Sequence, residues 1–305
     1  MTAVHLGFLT EATTVEWGAG MIAPLPDHDA VVSAVNADSR HYGGWFYPPL
    51  VPVMRDRVES KNRPDMPTGF GLPATHALTL LSGSGNAPSE DFFIALFGML
   101  KGLRLQREGW QHFYRCPTRR GSLCDFYADD REIARTLDIA TDFWTANPDN
   151  GIRKLAFGAL HWHLFAQLYE HEFERFNAQY TALDSCWKLA QKVRTSLPRR
   201  PTHAQRPGLL AGELGRAVPP WAAMPANESS CPLSARRNAL VHEAMYADEP
   251  IGFAHPQIER GMELELTGFV ARCLVSLCGV ENEYTRSPVT TRQIIGFSFG
   301  GETSR

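Results

Sequence analysis

Apolar residues recur at Ile258, Met262, Leu266, Phe269, Val270, Cys273 and Leu277, a three-and-four spacing that a helix gathers onto one face and a strand would scatter over two. A second series, Phe157, Leu160, Leu164, Phe165 and Leu168, keeps the same period. Amphipathic helices must bury such faces against one another. This predicts an all-α helical bundle for the second half, with further helices near residues 130–145, 177–195, 205–216 and 234–247.

The first half reads differently. Short extended runs, Ala3 to Leu9 and Ala30 to Val35, alternate with Gly43-Gly44, Pro48-Pro49 and the stretch from Pro67 to Pro73, the pattern of mixed strand and loop. A helix is expected from Ser89, acting as its N-cap, because Phe92, Phe93, Leu96, Phe97 and Leu100 follow at helical spacing; Trp110 to Phe126 then reads as extended. The expected class is α+β. The turn-rich break Asn147-Pro148-Asp149-Asn150-Gly151 divides a mixed accessory domain, residues 1–148, from a helical domain, residues 149–305.

At 305 residues, with 44% hydrophobic and 21% charged side chains, the chain can build two substantial cores. A net charge of −3 and a pI near 6.4 exclude a protein that coats nucleic acid indiscriminately, so any RNA contact must be local. One stretch could supply it: Lys188, Lys192, Arg194, Arg199, Arg200 and Arg206 occur with no acid between residues 188 and 212. The structural alternative is a helix C-terminus carrying favourable cations and a solvated loop, and the sequence leaves both open. Six cysteines without a Cys-x-x-Cys pair, and no secretory h-region, point to a reducing cytoplasm. No run approaches the roughly 18 apolar residues of a membrane span, so no membrane partner is expected.

Within the expected helix 234–247 lies Arg237-Asn238-Ala239-Leu240-Val241-His242. A guanidinium can hold a phosphate and the charge that builds on it, and an imidazole can take a proton from a ribose 2′-hydroxyl or return one to the leaving oxygen. At about 100° per residue Asn238 and His242 share a face, while Arg237 lies about 140° from His242, a gap its long side chain must bridge. If Leu233, Leu240, Val241, Ala244 and Met245 form the apolar stripe, Arg237 sits near its centre, where an unpaired charge would cost about 3–5 kcal/mol. The structural alternatives are a buried arginine paired with a carboxylate such as Asp184 and a histidine on the helix surface. Taken together, the three residues favour an active site.

Arg237-Asn238, three residues, then His242 resembles the Arg-x4–6-His signature of HEPN domains, helical proteins many of which are metal-independent endoribonucleases. Surrounding text resembles a larger HEPN-type domain over roughly residues 150–295: Tyr180 to Asp184, His203 and Arg206 ahead of Pro219-Pro220-Trp221, Pro250 to Phe253, and Tyr284 to Pro288 before Thr291-Arg292-Gln293. The resemblance implies that His242 serves as general base or acid, Arg237 binds the scissile phosphate, and Asn238 orients one of them. Products would carry a 2′,3′-cyclic phosphate and a 5′-hydroxyl, with no cofactor or metal. It also implies a homodimer with a composite site, and a setting in antiviral defence or a toxin–antitoxin system, where a regulatory partner or trigger would act and the first half would sense or select. The rival expectation is a non-catalytic HEPN-like module that binds RNA, a nucleotide or a protein.

Other constellations are weaker. His161 and His163 lie two apart, about 200° round a helix, too far to share a metal; His161 is expected on the apolar stripe, and His163 with His171 on a solvated face. Cys116, Cys124 and His112 make three zinc candidates without a fourth, and Cys186 and Cys273 read as buried hydrophobes. Ser82 to Asn86 lacks the Lys-Ser/Thr pair of a phosphate loop and reads as a connection. Trp45 and Trp110 could stack bases or fill a core.

Overall fold

Alternating apolar residues and Gly/Pro punctuation give the first part of the chain a small antiparallel sheet with one long helix against it. A computed structural model describes residues 3–49, 69–81, 87–194, 196–224, 228–251, 261–290 and 293–299. The chain divides into two units, Met1–Leu123 and Cys124–Arg305. The first contains β1 (Val4–Gly7), β2 (Val15–Trp17), β3 (Gly20–Pro24), α1 (His28–Ala37), β4 (His41–Tyr42), β5 (Trp45–Phe46), β6 (His76–Leu80), α2 (Ala87–Lys101), β7 (Gln106–Arg107) and β8 (Cys116–Pro117).

The sheet order is β2-β3-β6-β1-β7, with Leu78 of β6 opposite Ile22 on one side and Val4 on the other. Its alternation buries Val15, Trp17, Ile22, Leu78 and Leu80, and α2 packs over β6 and β7, with Phe93 5.9 Å from Trp17. Residues Ala30 to Val35, expected to be extended, lie within α1. His28 and Val35 are buried and Val31 and Val32 pack on Phe8, Phe46, Phe70, Leu72 and Cys116, a helical spacing at which packing overrides the β propensity of valine. α2 begins ahead of Ser89, which is buried in its first turn instead of capping it. The extended expectation for residues 110–126 reduces to β8, a bridge between His112 and Phe70, and Phe126 at the start of the next strand. Ser82 to Asn86, Gly252, Phe253, Ile258, Thr291 and Arg292 lie outside the described residues.

The second unit runs β9 (Phe126–Tyr127), α3 (Asp130–Ala146), α4 (Asn150–Ala166), α5 (Glu172–Val193), α6 (Arg206–Glu213), a 3-10 turn at Pro220–Ala222, α7 (Pro232–Asn238), a π-helical turn Ala239–Glu243, β10 (Met245–Tyr246), β11 (Glu249–Pro250), α8 (Gly261–Leu277), α9 (Glu283–Arg286) and β12 (Ile295–Gly296). α5 packs against both α4 and α8. The unit is predominantly helical but not all-α, because β9 pairs in parallel with β12 and β10 forms a hairpin with β11. The molecule is therefore α+β, with strand pairs in both units.

The expected stripe of α8 is buried at Leu266, Phe269, Val270, Cys273 and Leu277, and its later turns are buried all round, Arg272 included. Arg272 donates to Asp125 Oδ2 at 2.9 Å, to the Gly268 carbonyl and to Ser287, and Tyr284 donates to Asp125 Oδ1 at 2.6 Å. Gly268 is required there: a Cβ would come within 2.9 Å of the Arg272 guanidinium and 3.0 Å of Asp125 Oδ2. These contacts, with Phe126 4.6 Å from Tyr284 and 4.9 Å from Phe297, draw the chain from residue 124 into the second unit. The break at residues 147–151 is the turn between α3 and α4, where Asp149 accepts from the Gly151 amide at 2.6 Å.

Candidate functional site

α7 starts firmly. Pro232 fills its first position, where a missing N–H costs nothing, and Ser234 closes a reciprocal cap with Cys231, accepting from its amide at 3.1 Å and donating to its carbonyl at 3.0 Å. After Asn238 the helix widens into the π turn, which ends where the Ala244 amide reaches the Ala239 carbonyl. An i→i+5 turn carries more residues per revolution than an α-helix, so residues five apart come round to one side. Arg237 Nη1 accordingly donates to His242 Nε2 at 3.2 Å and to Asn238 Oδ1 at 3.0 Å. The gap foreseen for an α-helix is closed by the backbone as well as by the arginine's length.

The apolar stripe expected around Arg237 does not form. Leu233 is buried and Leu240 and Met245 are half-buried, but Val241 and Ala244 are exposed, and no residue of the π turn is buried. Arg237 is half-buried, with its guanidinium carbon 6.0 Å above the Tyr180 ring, and His242 is exposed. The segment is held from its other side. Arg236 Nη1 donates to Glu263 Oε1 at 2.5 Å, and the buried Tyr246 hydroxyl donates to the same oxygen at 2.6 Å, tying α7 and β10 to α8.

Asp184, the carboxylate named as the structural alternative for Arg237, is taken by Arg206 at 2.9 Å. Arg206 Nη1 also reaches His203 Nδ1 at 3.2 Å, and that nitrogen lies 3.2 Å from the Tyr180 hydroxyl and 3.8 Å from Asp184 Oδ2. Tyr180 is thus flanked by Arg237 and by His203, whose ring stacks beside it with centroids 6.2 Å apart. Burial pushes the Tyr180 phenol well above its ordinary range, with the Asp184 charge adding to the effect, so the hydroxyl stays a proton donor. Tyr180, Asp184 and Lys188 are four apart on α5, a spacing visible in the sequence. The contribution of Tyr180 and His203 to this surface was not.

The basic stretch divides. Arg206 faces inward on Asp184, Lys188 stands exposed one turn beyond Asp184, and Lys192 pairs loosely with Asp149 at 3.5 Å. Arg194, Arg199 and Arg200 are exposed beyond the end of α5. Of the two histidines of α4, His163, expected on a solvated face, is buried with Nδ1 3.2 Å from Gln179 Oε1, while His161, expected on the apolar stripe, is half-buried and stacks on Phe165. The buried arc of α4 is rotated because the helix meets both α5 and α8. Burial holds the His163 imidazole down at about 4. All six cysteines are free thiols, Cys186 and Cys273 buried as expected. Among the described residues no three His, Cys, Asp or Glu side chains are grouped to hold a metal ion, and no helix is long and apolar enough to cross a membrane. Comparison with protein-family models, curated proteins and solved structures gives no match.

Proposed function

We propose that the protein is a metal-independent endoribonuclease of HEPN type. The reading rests on one observation: a guanidinium at the end of α7 within hydrogen-bonding distance of a carboxamide and of an exposed imidazole on a π turn that has no fully buried residue. Arg237 can only donate, so neutral His242 accepts through Nε2 and carries its proton on Nδ1. A phosphodiester that takes the guanidinium releases the Nε2 lone pair to accept the 2′-hydroxyl proton. Arg237 stabilises the charge gathering on the phosphate, and Asn238, bonded to the same nitrogen of Arg237, keeps the guanidinium in register. The 2′-oxygen attacks phosphorus, the P–O5′ bond breaks, His242 returns the proton to the departing 5′-oxygen, and the products are a 2′,3′-cyclic phosphate and a 5′-hydroxyl. Lys188 and the exposed Arg194, Arg199 and Arg200 supply cations for the RNA backbone. A second copy facing the exposed turn would complete a composite site, and a role in antiviral defence or as a regulated toxin fits such chemistry.

The experiment is cleavage of total cellular RNA in excess EDTA, with end-group analysis, beside Arg237→Ala and His242→Ala. Cyclic-phosphate ends lost in both variants, with folding intact, support the enzyme. RNA binding without cleavage supports the non-catalytic module instead.

A further inference from the structure

His203 sits where two donors converge on one nitrogen. Arg206 Nη1 has no lone pair, so at 3.2 Å it donates to His203 Nδ1, and the Tyr180 hydroxyl at 3.2 Å donates to the same atom. A nitrogen that accepts cannot hold a proton, so the proton of the neutral imidazole is on Nε2. Arg206 is fixed in turn by Asp184 at 2.9 Å, and the Tyr180 ring fixes the plane of the imidazole. The His203 side chain is 39% exposed, and its hydrogen bonds to described residues run through Nδ1.

We infer that His203 is a fixed, neutral Nε2–H donor to an RNA phosphate bound at this surface beside Arg237, the two residues sharing Tyr180 as a neighbour; the inference rests on the phosphodiester-cleaving reading of the site. Burial and the cations around His203 favour this form against one carboxylate. Burial leads in holding its pKa below the ordinary histidine range; Asp184 of α5 opposes, while Arg206 of α6, Arg237 of α7 and Lys188 of α5 add to the lowering. A neutral imidazole fixed as a donor binds an oxyanion without exchanging its proton, which leaves proton transfer to His242. It also gives Arg206 a different duty from its neighbours in the basic stretch: it sets the His203 tautomer and is not spent on the RNA backbone.

The test uses the full chain with 15N-labelled histidine, His203 being assigned by its loss in His203→Gln. Long-range 1H–15N spectra should show an unprotonated Nδ1 and a protonated Nε2 through neutral pH, and Arg206→Met should mix the tautomers. A 2′-O-methyl oligoribonucleotide, which cannot be cut, should move the Nε2 resonance; no movement overturns the inference whether or not the protein cleaves RNA. In cleavage, His203→Ala should lower kcat by about 10²-fold, the usual cost of one oxyanion donor, with both limbs of the pH–rate profile unmoved. His203→Gln, whose carboxamide can donate from a similar place, should recover part of the loss. A lost limb would make His203 a proton-transfer group and overturn the fixed-donor role. Cleavage lost in His242→Ala but unchanged in His203→Ala would sink the inference and leave the nuclease standing. No cleavage by the wild type, with the Nε2 response present, would do the reverse.

Discussion

Glu263→Gln tests how the candidate site is anchored. Glu263 and Arg236 are 14% and 19% exposed, and a single oxygen of Glu263 accepts from both Arg236 and Tyr246. Removing one partner of a fully buried pair costs about 3–5 kcal/mol because the other charge is stranded; the residual exposure of both groups lets water reach them, which reduces the figure to about 2–3 kcal/mol. Tyr246 also loses a charged acceptor, and glutamine replaces it with a neutral one, adding about 0.5–1 kcal/mol. Burial, with the bond to Glu263 second, pushes the Tyr246 phenol far above its usual range, so it remains a donor throughout. The expected total is about 3 kcal/mol, or roughly 6–12 °C in Tm for a domain of this size. Denaturant unfolding gives the global term, and hydrogen exchange should rise first in amides 232–246, the segment carrying α7, the π turn and β10. Arg236→Met with Glu263→Leu, made in a Tyr246→Phe background so that no buried hydroxyl loses its acceptor, should recover stability to within about 1 kcal/mol of that background, since a well-packed apolar pair often equals a buried ion pair. A loss below about 1 kcal/mol in Glu263→Gln, or a double variant equal to the sum of its singles, would refute the reasoning.

Three further outcomes follow from buried or strained groups. Ala247 and Asp248 form the two-residue β10–β11 loop with φ of 51° and 65°, where Asn-Gly is preferred; Ala247→Asn with Asp248→Gly should stabilise by about 0.5–1 kcal/mol, seen as a Tm rise of roughly 1–4 °C. His163 is held at about 4 against 6.5 unfolded, so the folded state binds fewer protons; its contribution is complete above about pH 6.5 and is lost as pH falls toward 4, at up to about 1.4 kcal/mol per unit. His76 and His112, also held at about 4 by burial, add to the same slope, and His163→Gln should flatten it in denaturant titrations at stepped pH. Burial pushes the Cys116, Cys273 and Cys278 thiols up to about 12 and Cys186 well above its usual value, and Cys231 is also buried, whereas Cys124 is half-exposed. Native protein should therefore release one equivalent from a thiol reagent, lost in Cys124→Ser, and the remaining thiols should react only after unfolding.

What was legible in the sequence was whatever depends on period. The α8 stripe is buried from Leu266 to Leu277, with Met262 half-buried and Ile258 outside the described residues, and Tyr284 and Ser287 bond Arg272. Phase was harder. The α4 period was right, but a helix packed against two partners buries a wider arc than one stripe, and His163 falls inside it, made tolerable by Gln179. Valine-rich α1 was misread because residues 30–35 present β-branched side chains whose helical face is only seen once Phe8, Phe46 and Phe70 supply its partner. Ion-pair choice was not legible at all. Asp184 had two arginines to choose from, and the loop before α6 brings Arg206 to it while α7 turns Arg237 toward Asn238 and His242.

The π turn bears most directly on the site, because its cost is visible and its structural return is not. A wheel drawn at 100° per residue puts Arg237 and His242 on different sides, and an α-helix through residues 237–243 would have kept them there. The widened turn gives up regular hydrogen bonding, and the chain leaves it through Ala244 at φ 54°, a left-handed alanine that costs roughly 1–2 kcal/mol. Packing repays little of this, since Ala239 and Leu240 are only half-buried and Val241, His242 and Glu243 are exposed. The anchorage of α7 does not require it either, for Arg236 reaches Glu263 from the α-helical part. The contact that changes with the turn is the 3.2 Å approach of Arg237 to His242. A local distortion with no fully buried residue that brings a guanidinium to an imidazole is a feature the proposed chemistry at that pair would use.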